Sequence, residues 1–310
     1  MQIYRGFPEE LQKLKESYVA LGNFDGIHLG HGMLIQRCVN EAIINKSSSV
    51  VYTFSPHPEQ VLFPDSFNGH INSSKLKEQL LKECGVDVLI NHPFTKEFSQ
   101  KSAEEFVKDY LVYYLKPKKV FIGFNFSFGK GASGNPQLLE KLGEKYGFEV
   151  HRESPVKYQD VLISSSEIRK LLEDGNIIFA KNMLGYWPMI EGKVVFGDKI
   201  GRKLGFPTAN LLIESDIILP KQGVYATYIK IDGQEYKSAT NIGYKPTFNG
   251  KTLKVETHIF DFSEDIYGKV VQLVFIQRIR DEKKFNNVEE LKQQMTIDIV
   301  KTKEILAIEK

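Results

Sequence analysis

Two clusters of residues in this 310-residue chain have the types and spacing that handle phosphate. The first runs Gly22-Asn23-Phe24-Asp25-Gly26-Ile27-His28-Leu29-Gly30-His31. Small residues let backbone N–H groups approach an anion, and a helix starting there adds the free donors of its first turn. His28 and His31, separated by Leu29 and Gly30, can both turn toward that anion and stabilise charge on a triphosphate through imidazole N–H groups. His-x-x-His is also a zinc-ligand spacing, but neither HExxH nor an evident third ligand accompanies it. A turn merely filled by histidines is the third reading. The Walker pattern GxxxxGK(S/T) is absent, which removes P-loop chemistry.

The second cluster is Gly197-Asp198-Lys199-Ile200-Gly201-Arg202-Lys203-Leu204-Gly205-Phe206-Pro207-Thr208-Ala209-Asn210. A loop with three glycines and three basic residues can wrap phosphates with backbone N–H groups and neutralise them. Thr208 and Asn210 add hard oxygen donors of the kind Mg2+ prefers. Taken alone, the same loop reads more often as a solvated basic turn. A third stretch, Gly129-Lys130-Gly131-Ala132-Ser133-Gly134, matches GxGxxG between a strand and a helix. It lies in the fourth β-unit instead of the first, and the ribose-binding acid expected about 20 residues on is ambiguous, so a dinucleotide fingerprint is the weaker reading.

Two different patterns must hold these clusters in place. Up to residue 185, strand-like runs at 18–21, 50–54, 86–90, 120–126 and 161–164 alternate with amphipathic helical stretches at 32–44, 74–83, 103–115 and 137–146. Helical pieces 165–173 and 176–184 follow, broken at Gly175. Near-continuously apolar strands alternating with helices predict a parallel sheet covered on both faces. Beyond Gly185, strand-like runs at 192–196, 224–231, 236–242, 253–262 and 270–280 succeed one another directly, with Asp232-Gly233 as a hairpin turn. These predict an antiparallel barrel or sandwich, closed by a helix over 288–308 whose Leu291, Met295, Ile299 and Leu306 face it. The fold class is therefore α/β followed by a β-barrel, in domains 1–186 and 187–310. The length agrees, since about 150 residues per domain gives about two.

Composition narrows the class further. Lys+Arg 41 against Asp+Glu 39 leaves +2, and neither part carries a marked excess, which argues against nucleic-acid binding by bulk charge. Cys38 and Cys84 lack CxxC spacing and are too few for a disulfide scaffold, which fits a reducing cytoplasm. The first 21 residues lack the apolar core of a signal peptide. The longest uninterrupted apolar run is 110–115, against the roughly 20 residues a membrane helix needs.

The motifs also resemble known families. GxFDxxHxGH opening the first strand–loop–helix resembles the nucleotidyltransferase superfamily, implying a Rossmann-like domain in which Gly22, Phe24, Asp25 and Gly30 join His28 and His31 at ATP. Ser164-Ser165-Ser166-Glu167-Ile168-Arg169 is similar to the second signature, SSTxIR. The resemblance implies ATP contacts from Ser164 and Ser165, and a charged fork from Arg169 on a β- or γ-phosphate. Thr53-Phe54-Ser55-Pro56-His57-Pro58 and Gly123-Phe124-Asn125-Phe126-Ser127-Phe128-Gly129 resemble TFxPHP and GxNFxFG of the FMN adenylyltransferase branch. His57, Asn125, Phe126 and Phe128 would line the flavin side, since aromatic rings with one amide suit a flat, polar-edged ring.

The second cluster resembles the riboflavin kinase motif GRxLGFPTAN, implying ATP contacts from Gly201, Arg202, Lys203 and Gly205 and a metal held by Thr208 and Asn210. Residues 241–248 are similar to NIGxRPTF, with Lys245 for Arg, and residues 255–262 to VExHxxDF. There Glu256 would take the proton from the ribityl 5′-hydroxyl, and His258 would pack or orient. Together these resemble the bacterial bifunctional riboflavin kinase/FMN adenylyltransferase, or FAD synthetase, family. The resemblance implies FMN formation in the barrel and FAD formation in the N-terminal cleft, both with ATP and Mg2+. The partners expected are riboflavin, FMN, FAD and ATP, for a cytoplasmic monomer or weak homo-oligomer, without nucleic acid or membrane. Ser55 stands where the family often has Asp, Lys245 loses the bidentate fork of Arg, and Tyr186-Trp187-Pro188 replaces a common Arg-Pro-Tyr. The rival readings are a chain with one working half, and a flavin-responsive regulator or nucleic-acid binder using Lys116-Pro117-Lys118-Lys119.

Overall fold

The structure is a computed structural model whose described residues are 1–8, 11, 15–197, 201, 204–247 and 250–308. They form two compact units, Met1–Gly69 with Ser74–Ser164, and His70–Ser73 with Ser165–Lys310.

In the first unit, alternation along the strands sends side chains to opposite faces of one sheet. Val19, Leu21, Val50, Tyr52, Ile90 and Ile122 enter one core, and Tyr18, Ala20, Val51, Leu89 and Phe121 enter another. The strands are β1 (Gln2–Tyr4), β2 (Ser17–Leu21), β3 (Ser48–Phe54), β4 (Val88–His92), β5 (Pro117–Gly123) and β6 (Glu149–Glu153), all parallel, in the order β1-β4-β3-β2-β5-β6. On one face, α1 (Leu29–Ile44) contributes Leu34, Ile35, Cys38 and Val39. Short α2 (Pro58–Leu62) follows β3, and α3 (Ser74–Glu83) adds Leu81 to the core on the α1 face. The opposite face is covered by α4 (Ala103–Phe106), its π-helical continuation Val107–Leu115 and α5 (Pro136–Tyr146).

The doubly covered parallel sheet is the one the apolar runs predict, with differences at its edges. β1 and β6 escape the sequence pattern because both are edge strands with mostly polar or part-exposed residues, QIY and EVHRE. The predicted strand 120–126 stops at Gly123, where Phe126 N donates to Gly123 O (3.2 Å) and the chain turns. The predicted strand 161–164 is only β8 (Val161–Leu162), paired with β7 (Lys157–Tyr158) in a separate hairpin. The GxGxxG stretch folds as a tight loop. A Cβ on Gly129 would meet Ala103 N at 2.7 Å, and one on Gly134 would meet the Phe128 ring at 2.7 Å. These glycines serve packing, which accounts for the match without a dinucleotide.

The second unit opens with α6 (Ser165–Glu173) and α7 (Ile177–Leu184), capped by Asn176. A closed antiparallel barrel follows, from β9 (Met189–Val195), β10 (Ala209–Leu212), β11 (Gly223–Ile231), β12 (Gln234–Thr247), β13 (Gly250–Ile259) and β14 (Val270–Arg280), in the order β10-β13-β12-β11-β14-β9. Asp232 and Gly233, at φ 49° and 84°, make the predicted two-residue turn between β11 and β12. Strand β10 is the element the sequence pattern lacks: it has four residues and emerges directly from the predicted phosphate loop. α8 (Val288–Ile308) packs Leu306 against Ala226, Val274 and Ile276 on the barrel's outer face. Leu172 O accepts from Lys221 N (2.9 Å), tying α6 to this unit, and His70 O accepts from Ile218 N (2.9 Å). Compactness thus divides the chain at Ser164, whereas the split at 186 is one of motifs.

Candidate active sites

Three loops of the first unit leave the carboxyl ends of β2, β3 and β5, which are adjacent in the sheet. An open parallel sheet binds ligands at that edge. The loop after β2 is held by left-handed backbone at Phe24 (φ 48°), Gly26 (φ 80°) and Ile27 (φ 36°). His28 is the N-cap of α1, and its Nδ1 accepts from His31 N (3.3 Å). That bond places the ring proton on Nε2, free to donate. The two imidazoles stack, with centroids 3.6 Å apart. Gly30 makes room for this, since a Cβ there would lie 3.4 Å from the His28 ring. Burial lowers His28 to about 4 and His31 well below its ordinary value, so both are neutral at neutral pH. Nδ1 of His31 is buried without a hydrogen-bond partner.

The remaining residues assigned to this site divide by exposure. Phe24 is a core side chain with its ring edge-on to His31 (5.3 Å), and a Cβ on Gly22 would meet that ring at 3.1 Å. Asp25 is buried beside the Lys77 ammonium. His57 caps α2, its Nδ1 accepting from Glu59 N (3.2 Å), and stacks on Phe67. Asn125 is exposed, while Phe126 stacks on Phe128, whose ring is buried against Phe106 (5.7 Å). Ser164 closes the first unit. Ser165 opens α6 in the second, where Arg169 is buried. Sequence reasoning missed Lys77, whose Nζ donates to Asn23 O (2.5 Å) and Thr53 Oγ1 (3.0 Å). No motif or spacing in the sequence singles it out.

The second site is built by strand register. Asn210 on β10 faces Glu256 on β13, which faces Asn241 on β12, which faces Val224 on β11, which faces Arg280 on β14. Residues directly opposite share a sheet face. The alternate face points inward, where Thr227, Ser238, Thr240 and Thr257 join hydroxyls at 2.8–3.0 Å, all fully buried. The Asn210–Glu256–Asn241 row therefore lies on the outer face, and a cavity of about 330 Å³ opens over it, walled by Leu291, Met295 and Ile299 of α8. Thr208, Gly201 and His258 line the same cavity. Nδ1 of His258 donates to Pro207 O (2.8 Å), orienting the loop ahead of Thr208.

Glycines shape the donor side of this cavity. A Cβ on Gly197 would fall 2.2 Å from Asn210 Nδ2, and one on Gly201 would fall 2.4 Å from Phe206 O and 3.3 Å from Thr208 Oγ1. Gly205, at φ 89°, completes the turn. The backbone is thus pressed against one hydroxyl and one amide, a hard-oxygen set that suits Mg2+ with phosphates and water. Among the described residues no group of three or more His, Cys, Asp and Glu is placed to hold a metal. Arg202, Lys203 and Lys199 lie outside the described residues, as does Phe248. Sequence reasoning also missed the clamp on the helix wall. Arg280 grips the buried Asp298 of α8 through Nε (2.9 and 3.0 Å) and Nη2 (2.6 Å), and Gln294 Nε2 donates to the same carboxylate (3.0 Å).

The family model described as FAD synthetase matches residues 10–167, and that described as riboflavin kinase matches residues 184–306. A bifunctional riboflavin kinase/FMN adenylyltransferase of Escherichia coli K12 is 34% identical over 312 residues, covering 100% of this chain and 99% of that protein. One of Bacillus subtilis is 36% identical over 288 residues, covering 91% and 90%. A crystal structure from Streptococcus pneumoniae, described as a macrolide-efflux protein, is similar with TM-score 0.88 at 32% identity, covering 98% of this chain and 99% of that one. Among the described residues no helix is long and apolar enough to cross a membrane.

Proposed function

The chain belongs to the bifunctional riboflavin kinase/FMN adenylyltransferase family, and we propose that its two sites act in succession on one flavin. Residues 187–310 phosphorylate riboflavin with ATP, giving FMN and ADP. Residues 1–186 then join FMN to ATP, giving FAD and pyrophosphate. The observation that carries this reading is the row Asn210–Glu256–Asn241 under a cavity walled by α8. One carboxylate between two amides, beside a glycine-pressed oxygen pair, has what phosphoryl transfer to an alcohol requires.

An alcohol is a weak nucleophile until its proton leaves, and Glu256 takes the proton of the ribityl 5′-hydroxyl as its oxygen attacks the γ-phosphorus. Asn241 and Asn210 hold the carboxylate's neighbours in register, and the glycine loop cradles the phosphates. Thr208 and Asn210 would hold Mg2+, which when bound would neutralise phosphate charge. In the first site the nucleophile is the FMN phosphate, already an anion, so no base is needed. His28 donates from Nε2 to the phosphate oxygens of ATP, and His31 supports it through the stacked ring. By the family resemblance ATP contacts are also assigned to Ser164, Ser165 and Arg169, and flavin contacts to His57, Asn125, Phe126 and Phe128. The enzyme works in the cytoplasm as a monomer or weak homo-oligomer, without nucleic acid or membrane partners.

The test is incubation with riboflavin, ATP and Mg2+, with flavins resolved by chromatography over time. FMN appears first and FAD follows. FMN without FAD would leave only the kinase half of this reading standing.

A further inference from the structure

The HxGH turn is an anion site whose two histidines carry no charge at neutral pH. Neutral imidazoles offer dipoles, yet a triphosphate brings several negative charges into a cleft of buried rings. A cation does reach this turn, from outside the motif. Lys77 at the start of α3 sends Nζ to Asn23 O (2.5 Å) and to Thr53 Oγ1 (3.0 Å), and Thr53 Oγ1 donates to the same carbonyl (2.9 Å). The ammonium therefore ties the loop after β2 to the end of β3, using two of its three N–H donors on the protein.

Resting on the adenylyltransferase reading of this site, we infer that Lys77 is a positioning residue for FMN adenylylation: it clamps the turn that presents His28 and supplies the positive field for the phosphates of ATP. The titratable groups facing it are Asp25 on the turn, His31 on α1 and His28 stacked on His31. Asp25 favours the charged ammonium, but burial outweighs it and lowers Lys77 to about 8. A side chain held only as a structural strut would work equally well uncharged. One that supplies charge fails as its proton leaves, so the role has a pH signature.

The experiment is FMN adenylylation by the full chain, with kcat and KM for ATP measured from about pH 6.5 to about pH 10, for the natural sequence, Lys77→Met and Lys77→Arg. In the natural sequence kcat/KM for ATP declines as pH rises through about 8. Lys77→Arg retains activity and loses that alkaline decline, because a guanidinium stays charged. Lys77→Met raises KM for ATP about tenfold or more, the scale of a lost charge-assisted contact, and shows no alkaline decline. An unaltered KM in a folded Lys77→Met, or an alkaline decline that persists in Lys77→Arg, overturns the inference. If Lys77→Met does not fold, the Lys77→Arg profile decides alone. A natural chain that makes FMN but no FAD overturns the adenylyltransferase reading and this inference with it, whereas FAD formation with unchanged variants overturns the inference only.

Discussion

The two sites handle the same cofactor chemistry with opposite electrostatics. The first buries neutral imidazoles at the head of a helix. The second sets a carboxylate in a row of amides on the outer face of a barrel, under an open cavity. The difference follows the nucleophile. A phosphate arrives ionised and, on the proposed reading, needs donors and compensating cations in place of a base. A hydroxyl arrives protonated and needs that carboxylate.

The largest expected break in this comparison is Glu256→Gln. It removes the proposed base while keeping the shape, and riboflavin phosphorylation should fall by about 10²–10⁴-fold. FMN adenylylation measured in the same preparation should stay within about twofold, well inside what one lost base contributes. Equal loss of both activities would refute the two-site division. The reciprocal change, His28→Ala, should cut adenylylation by about 10²–10³-fold, the scale of removing one preorganised donor, and leave FMN formation intact.

Asp298→Ala sharpens the comparison at the helix wall. It leaves Arg280 without its bidentate partner and should destabilise the second unit by about 3 kcal/mol. Trp187, the chain's single tryptophan, packs beside the Leu306 cluster and reports this unfolding by fluorescence. The KM for riboflavin should rise as α8 loosens from the cavity, and an unchanged melting curve would show that the clamp is idle.

The last contrast concerns acid. His28 and His92 are lowered by burial from 6.5 to about 4, so the unfolded chain binds protons that the folded one refuses. The stability they lend is complete above pH 6.5 and is lost as pH falls from 6.5 to about 4. The shift amounts to about 3 kcal/mol for each histidine at the acid end. Both lie in the first unit, as does His31, which is lowered further. Helical circular dichroism should therefore begin to fall at a higher pH than the Trp187 signal changes. Coincident acid transitions would remove this distinction.

Local chemistry and local periodicity were readable from the chain alone. The HxGH turn, the glycine-rich kinase loop, the VExHxxDF strand and the alternation of β and α up to residue 185 depend on neighbours a few positions apart, so spacing reveals them. The span of α8 was legible for the same reason, an apolar stripe of helical period over 288–308. Edge strands β1 and β6 were not, because an edge needs neither apolar faces nor length to pair, and neither was β10, whose four residues are too few to show a period. What tertiary structure alone decided are the meetings of distant residues. Lys77 reaches Asn23 across 54 positions, and Glu256 joins Asn210 and Asn241 through register. The protonation of the histidines belongs with these, because burial is a property of what packs around a residue and not of the residue's type. Sequence determines which groups are available, and desolvation and register, which exist only after folding, determine which are charged and which can act together.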